Sequence, residues 1–207
     1  MKQNKFYSLW LALICIIIFI IQYSFPQFTD MFVLNQQSYI QIWRFVSAIF
    51  LHGSIMHLAY NMFALILFGL ILEKFIGSRK FLLVFLLTGI LANLISVNFY
   101  ESALGASGAV FGVIGALTII RPGMTVWAFS MPMPLFLAAI LWAAGDLMGI
   151  FMPSNIANLA HLSGLGLGLI LGLYFRFKRK QVSPGVSYKI ELPEQYVRNW
   201  EDRFIRQ

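Results

Sequence analysis

The sequence predicts an all-α membrane protein, a bundle of six transmembrane helices with a short, membrane-immersed fourth helix and a long first loop. Hydrophobic residues make up 59% of the 207 residues and charged residues 11%, against about 25% charged in a soluble domain. Of the 15 Lys and Arg and 8 Asp and Glu residues, only nine lie between Phe6 and Phe175. The chain between those two residues is therefore predicted to lie in lipid.

Six apolar segments are long enough to cross, or nearly cross, a hydrocarbon layer of about 30 Å. We expect helices because a helix satisfies its own backbone hydrogen bonds in lipid, and the alternating pattern of a membrane barrel is absent from the sequence. The first segment follows Lys2 and Lys5 and lacks a small-residue cleavage site, which favours an uncleaved anchor. The segments are residues 8–25, 54–72, 81–99, 107–120, 133–152 and 157–175.

The basic residues predict the orientation of the bundle. If both termini are cytoplasmic, 14 of the 15 Lys and Arg residues fall on the inner side, and Arg44 is the exception. Basic residues at the edges of apolar segments indicate membrane orientation rather than nucleic-acid binding, so no nucleic-acid partner is expected. We expect a multi-pass integral protein of a prokaryotic cytoplasmic membrane, because the core is small and no transit peptide is apparent.

The chain is predicted to contain one domain, a core at residues 1–175, followed by a basic cytoplasmic tail at 176–207. The tail begins with four basic residues that should lie against anionic headgroups. Its last 20 residues are expected either to be loosely ordered or to form a short surface helix around residues 196–205. The first loop, residues 26–53, contains Trp43 and Arg44 and is expected to be interfacial, with short amphipathic helices. The single Cys15 excludes a disulfide framework and a thiolate metal cluster.

The fourth segment is too short to span the layer, since its 14 residues make about 21 Å of helix. The chain before it must dip below the membrane surface, which is tolerated only around protein or a water-filled cavity. Counted from the inner charges, His57, Asn61 and His161 lie at roughly the same depth as Ser107, which begins this segment. Polar and ionisable groups within a membrane are functional by default.

These side chains suit acyl transfer. Small residues recur every four positions from Ala160 to Gly172, and the fourth segment is also glycine-rich, so these two helices should touch and bring His161 toward Ser107. A serine hydroxyl is a weak nucleophile until a base takes its proton, and His161 supplies that base. The amide of Ser107 at a helix N-terminus, together with His57 and Asn61 on one helix face, could bind an oxyanion.

Asp146 is the only carboxylate that could complete a triad, but Pro132 and Pro134 obscure the register of its helix. We expect a buried or rim carboxylate with local partners, and therefore a Ser107–His161 dyad.

Several motifs together closely resemble the rhomboid family of intramembrane serine proteases. They are the residues Gly105-Ala106-Ser107-Gly108, the pair His57 and Asn61, Ala160-His161 followed by Gly164, Trp43-Arg44, His52-Gly53, and Glu73-Lys74 with Gly77. The resemblance covers about residues 43–172, and the combination is specific although each piece alone is common.

The resemblance implies a serine endopeptidase with a six-helix core, Ser107 as nucleophile and His161 as general base and acid. It implies an oxyanion hole from His57, Asn61 and the Ser107 amide, with Gly105 supporting the site. It further implies that Phe111 packs against the imidazole of His161. The implied substrates are single-pass membrane proteins cut near the outer membrane face through an acyl-enzyme, without a metal or cofactor.

Other interpretations of the same residues stay open. Ser107 could be a small packing residue, and His57 with Asn61 could be an interhelical hydrogen-bonding pair. His52 is expected to be structural, and Arg44 and Glu73 are expected to be loop and interface anchors. A metal-dependent hydrolase using His52, His57 and His161 lacks an HExxH motif. A catalytically weak or inactive relative that binds and escorts membrane proteins would share the fold but would usually lose Ser107 or His161.

Overall fold

The computed structural model describes residues 5–152, 156–181 and 194–204. Within these ranges the chain forms nine α-helices, four short strands and two 3-10 turns, and it divides into two compact units after Phe177. The helices are α1 (Tyr7–Ser24), α2 (Pro26–Phe32), α3 (Arg44–Ser47), α4 (Ile55–Ile76), α5 (Ser78–Ser96), α6 (Ser107–Ile120), α7 (Leu135–Gly149), α8 (Asn158–Gln181) and α9 (Glu194–Phe204). The strands are β1 (Leu34–Asn35), β2 (Ser102–Ala103), β3 (Thr125–Ala128) and β4 (Met131–Pro134).

The apolar helices identify a multi-pass integral membrane protein, as predicted. Four described helices are long and apolar enough to cross a membrane, namely α1, α4, α5 and residues 158–178 of α8. The helices α6 and α7 are apolar but shorter. The helical membrane-bundle class is therefore confirmed, whereas the count of six spans and the division into a core at 1–175 and a tail at 176–207 stay predictions.

Helix α6 lies at the centre of the bundle. It begins at Ser107 and ends at Ile120, as the sequence predicted, and most of its residues from Gly108 to Thr118 are buried. Methyl groups added at Gly164 or Gly168 of α8 would collide with the carbonyl oxygens of Gly108 or Gly112. The predicted contact between the two glycine-rich helices is confirmed, and their backbones approach closely because side chains are absent there.

A buried carboxylate fixes the start of α1. Glu73, near the C-terminal end of α4, is 1% exposed. It accepts hydrogen bonds from the amides of Tyr7 (2.9 Å) and Ser8 (3.1 Å), and from the Ser8 hydroxyl (3.0 Å). An acid at a helix N-terminus satisfies amides that have no partner within the helix and favours the helix dipole. Glu73 is thus an anchor, in agreement with the sequence analysis.

The first loop is attached to the segment that leads into α6. Arg44 is 4% exposed and donates hydrogen bonds to the carbonyl oxygens of Asp30 (2.9 Å) and Val33 (2.7 Å). Strand β1 of this loop pairs with β2, and the Gly105 amide donates to the Ala48 carbonyl at 2.9 Å. The loop therefore holds the residues before Ser107 in place.

The segment before α7 differs from the prediction. The fifth apolar segment was expected over residues 133–152, but Met133 and Pro134 belong to β4, which pairs with β3 in a hairpin. Phe129 and Ser130 have φ angles of 52° and 62°, the left-handed values that a tight two-residue hairpin turn requires. Helix α7 consequently begins at Leu135, directly after Pro134.

Candidate functional site

Ser107 is the first residue of α6 and is half-buried. It follows Gly105, whose φ of 122° is a value that side chains rarely adopt, and Ala106, which has no polar side chain to cap the helix. The first amides of a helix have no acceptor within it, and the helix dipole places partial positive charge beside them. The start of α6 is therefore suited to a developing negative charge next to the Ser107 hydroxyl.

His161 lies in the first turn of α8, beside the first turn of α6. A methyl group added at Gly108 would lie 3.3 Å from the carbonyl oxygen of Ala160, the residue before His161. Phe111, one turn after Ser107, stacks on the imidazole with ring centroids 4.4 Å apart and planes at 4°. The structure thus brings the helix turns that carry the predicted nucleophile and base together.

The Ser107 and His161 side chains are not directly hydrogen-bonded within the described part of the chain. Catalytic hydrogen bonds are often long or poorly aligned without substrate and shorten in the reacting complex. The absence of this hydrogen bond therefore does not exclude either residue as a candidate.

Asp146 is placed differently from the expectation. Its Oδ1 lies 2.9 Å from Nδ1 of His161, although the two residues belong to different helices. The side chains are 10% and 13% exposed, so water competes little for this contact. Asp146 is buried, as one of the two expected placements had it, but the expectation of local partners was wrong. Its helix starts at Leu135, and in this register Asp146 contacts a residue of α8. The sequence analysis named Asp146 as the only carboxylate that could complete a triad, but it did not expect the contact with His161.

A signal for this contact was present in the sequence. Asp146 is the only acidic residue between Glu101 and Glu191, and it lies in an otherwise apolar helix. A carboxylate within a membrane needs a partner, and polar partners at its depth are few.

His57 and Asn61 lie one turn apart on α4, and the two are fixed in different ways. The imidazole of His57 packs against Gly105, where an added methyl group would lie 2.7 Å from Cε1 and 2.8 Å from Nε2. Asn61 is 6% exposed and donates one amide hydrogen to the His57 carbonyl at 2.8 Å, which leaves its second amide hydrogen for another acceptor. The structure brings His57 to the loop before Ser107, whereas Asn61 is tied to its own helix.

The ring of His52 is buried and lies next to the ring of His57. The residue is 2% exposed, its ring centroid lies 5.2 Å from that of His57, and its amide donates to the Gln22 side chain at 3.0 Å. Neither ring nitrogen makes a hydrogen bond of good geometry in the described residues, although the Phe50 backbone lies near enough to oppose the pKa shift slightly. Burial, and next the neighbouring His57, lower the pKa of His52 from 6.5 to about 4, so its imidazole is neutral at pH 7.

A metal centre gains no support from the arrangement. Among the residues described, no three His, Cys, Asp or Glu side chains converge in a way that could hold a metal ion. His52, His57 and His161, the ligand set considered from the sequence, are accordingly not placed as a metal triad.

Comparison with known proteins gives consistent matches. The Rhomboid domain family matches residues 39–178. The rhomboid protease GlpG of Yersinia pseudotuberculosis is 31% identical over 144 residues, which are 68% of this chain and 50% of that protein. RHOMBOID-like protein 6, mitochondrial, of Arabidopsis thaliana is 33% identical over 132 residues, 63% of this chain and 42% of that protein. The chain therefore spans half or less of the length of these curated relatives.

Proposed function

The chain belongs to the rhomboid family, and on that premise we propose that it is an intramembrane serine endopeptidase in which Ser107 is the nucleophile and His161 the general base and acid. The observation that carries this proposal is the meeting of the first turns of α6 and α8, with Phe111 of α6 stacked on His161. A serine used only for packing would not require a histidine ring held in the neighbouring helix turn.

The proposed reaction follows acyl transfer. The Ser107 oxygen attacks the scissile carbonyl carbon while His161 Nε2 accepts the hydroxyl proton, and the carbonyl oxygen takes the displaced electron pair. The oxyanion is bound by the Ser107 amide, His57 and Asn61. The C–N bond then breaks as His161 returns the proton to the leaving amine, and water hydrolyses the acyl-enzyme by the same two steps. No metal or cofactor is required for this sequence.

The proposed substrates are single-pass transmembrane proteins, cut near the outer membrane face. Peptide bonds in a helix are shielded by side chains and by backbone hydrogen bonds, so the substrate must unwind locally to reach Ser107. Gly or Pro residues near the cut should favour that unwinding because they weaken a helix.

We also propose that both termini are cytoplasmic and that the membrane is a prokaryotic cytoplasmic membrane. Several basic side chains gather at the end of the bundle away from Ser107, which supports this orientation. Arg121 lies over the Phe75 ring, Lys80 lies over the Phe175 ring, and Arg176 donates to the Ile119 carbonyl at 3.1 Å. The basic tail is proposed to contact anionic headgroups.

The test is reconstitution of the full chain in liposomes with a generic single-pass substrate, combined with fluorophosphonate labelling. We expect cleavage and labelling by the wild type, and loss of both in Ser107→Ala. Ser102→Ala is the matched control, because Ser102 is an exposed serine five residues away. N-terminal sequencing of the product locates the cut.

Two outcomes would contradict the proposal. Label that persists in Ser107→Ala would exclude Ser107 as the nucleophile. A folded wild type that binds the substrate without cutting it or taking the label would instead favour the non-catalytic binding or escort function.

A further inference from the structure

We propose that Asp146 is a positioning residue for His161, holding the imidazole through Nδ1 so that Nε2 is presented to Ser107. This inference rests on the proposed function and extends the Ser107–His161 dyad to a three-residue arrangement. Its basis is the 2.9 Å contact between Asp146 Oδ1 and His161 Nδ1, which joins helices α7 and α8.

The contact determines which ring nitrogen carries the proton. An ionised carboxylate can only accept hydrogen bonds, so Nδ1 of a neutral imidazole must be the donor in this contact. Nε2 is then the nitrogen with a free lone pair, which is the form that a general base needs. Without the carboxylate, the neutral ring would be free to carry its proton on either nitrogen.

The stacking of Phe111 on His161 does not by itself determine which ring nitrogen faces Asp146. The Phe111 and His161 rings are parallel within 4°, and a half-turn of the imidazole about its Cβ–Cγ bond would leave its plane unchanged. That turn exchanges Nδ1 with Cδ2 and Nε2 with Cε1. The apolar face of Phe111 does not distinguish the two orientations, whereas Asp146 does, because only one of them offers it an N–H group. Phe111 thus sets the plane of the ring, and Asp146 sets its orientation within that plane.

The incomplete pairing of Asp146 points to a role in reaction rather than in folding. Asp146 is 9% exposed, and its Oδ2 has no hydrogen-bond partner in the described residues. Leaving a carboxylate oxygen buried and unpaired is costly to the folded state. The charge becomes useful when His161 accepts the Ser107 proton, since the imidazolium then carries an N–H on both nitrogens beside an ionised carboxylate. The proton passes on to the leaving amine from Nε2, and Asp146 stays ionised throughout.

The test compares Asp146→Asn with wild type in the reconstituted full chain, measuring kcat and KM separately. An amide can donate to Nδ1, which favours the proton on Nε2 and blocks acceptance from Ser107. We expect kcat and the rate of fluorophosphonate labelling to fall together by about 100-fold or more, since general-base catalysis typically contributes about 10²- to 10⁴-fold, with KM changed less than about twofold.

Glu73→Gln is the matched control, because it alters another buried carboxylate far from His161 in the chain. We expect this variant to lower the thermal stability while the folded protein keeps its kcat. An Asp146→Asn variant with wild-type kcat and labelling would overturn the positioning role, and so would a KM effect without a kcat effect.

A second measurement does not depend on the folding of the Asp146→Asn variant. Nitrogen-15 NMR of histidine-labelled wild type, with His161 assigned by His161→Gln, should show protonated Nδ1 and unprotonated Nε2 at neutral pH. The opposite tautomer would overturn the inference. Failure of the proposed function itself would look different, because wild type and Ser107→Ala would then be equally inactive and equally labelled or unlabelled.

Discussion

Each end of the helical bundle buries one carboxylate, and the two are used differently. Glu73, at the end where α1 begins, accepts three hydrogen bonds from Tyr7 and Ser8. Asp146, at the Ser107 end, has one side-chain hydrogen bond in the described residues, from Oδ1 to His161. Both residues are buried, at 1% and 9% exposed, so burial alone does not separate them.

The difference is in how completely the polar groups are paired. At the Glu73 end, each carboxylate oxygen has a donor, and the donors are amides that a helix start would otherwise leave unpaired. At the Ser107 end, Asp146 Oδ2 and both ring nitrogens of His52 are buried without a hydrogen bond of good geometry in the described residues. Complete pairing of buried polar groups stabilises a fold, whereas an unpaired buried group can still form a hydrogen bond with another partner. We therefore expect substitutions at the Glu73 end to change mainly the stability, and substitutions at the Ser107 end to change mainly the activity.

The largest effect is expected from Glu73→Ala. This change leaves the amides of Tyr7 and Ser8 and the Ser8 hydroxyl buried without their acceptor, and should lower the free energy of unfolding by about 3–5 kcal/mol. Unfolding in mixed micelles measures the loss. Glu101→Ala, which alters an exposed carboxylate, should change the stability little. If Glu73→Ala removes activity at full stability, the contrast between the two ends is wrong.

The contact between α6 and α8 gives a second comparison of the two ends. Gly164→Ala places a methyl group against the Gly108 carbonyl, beside Ser107, while Gly172→Ala places one 2.8 Å from the Ala116 carbonyl, near the other end. Each should cost about 1–3 kcal/mol of stability through overpacking.

Only Gly164→Ala should also reduce kcat in the folded protein, because it separates the first turns of the two helices. Gly166→Ala is the control, since an added methyl group there meets no atom within 4 Å. Equal kcat values for the Gly164 and Gly172 variants would show that activity does not depend on this local approach.

The sequence predicted the parts of the molecule that follow from composition and from local spacing. Helix α6 was predicted at its observed bounds because Gly105 and Arg121 flank an apolar run of fixed length. The contact between α6 and α8 was predicted because glycine at every fourth position marks one helix face.

The hairpin and the Asp146 contact could not be predicted in the same way. Residues 125–134 are mostly apolar, which fits a hairpin as well as a helix. Pro132 and Pro134 likewise fit both a strand at a sheet edge and a disturbed helix start. The register of α7 depends on where that hairpin ends, so the direction of Asp146 was undetermined. The orientation of His57 toward Gly105 also required tertiary structure, since it depends on the loop held by Ala48.

The smallest effect concerns His52, at the Ser107 end, whose lowered pKa makes the free energy of unfolding depend on pH. With a pKa of about 4 in the folded protein and 6.5 as its ordinary value, His52 is neutral in both states above pH 7 and adds no pH dependence there. As the pH falls below 6.5, the unfolded chain binds a proton that the folded protein does not, so stability is lost progressively down to about pH 4.

Between pH 7.5 and 5.5 the expected loss from His52 is about 1 kcal/mol. Thermal unfolding in detergent at a series of pH values measures it, and His52→Leu should show a flatter dependence than wild type. Ser102→Ala, which alters an exposed residue and keeps all three histidines, is the control and should keep the acid sensitivity. A His52→Leu variant as acid-sensitive as wild type would mean that the buried His52 ring does not cause the loss of stability at low pH.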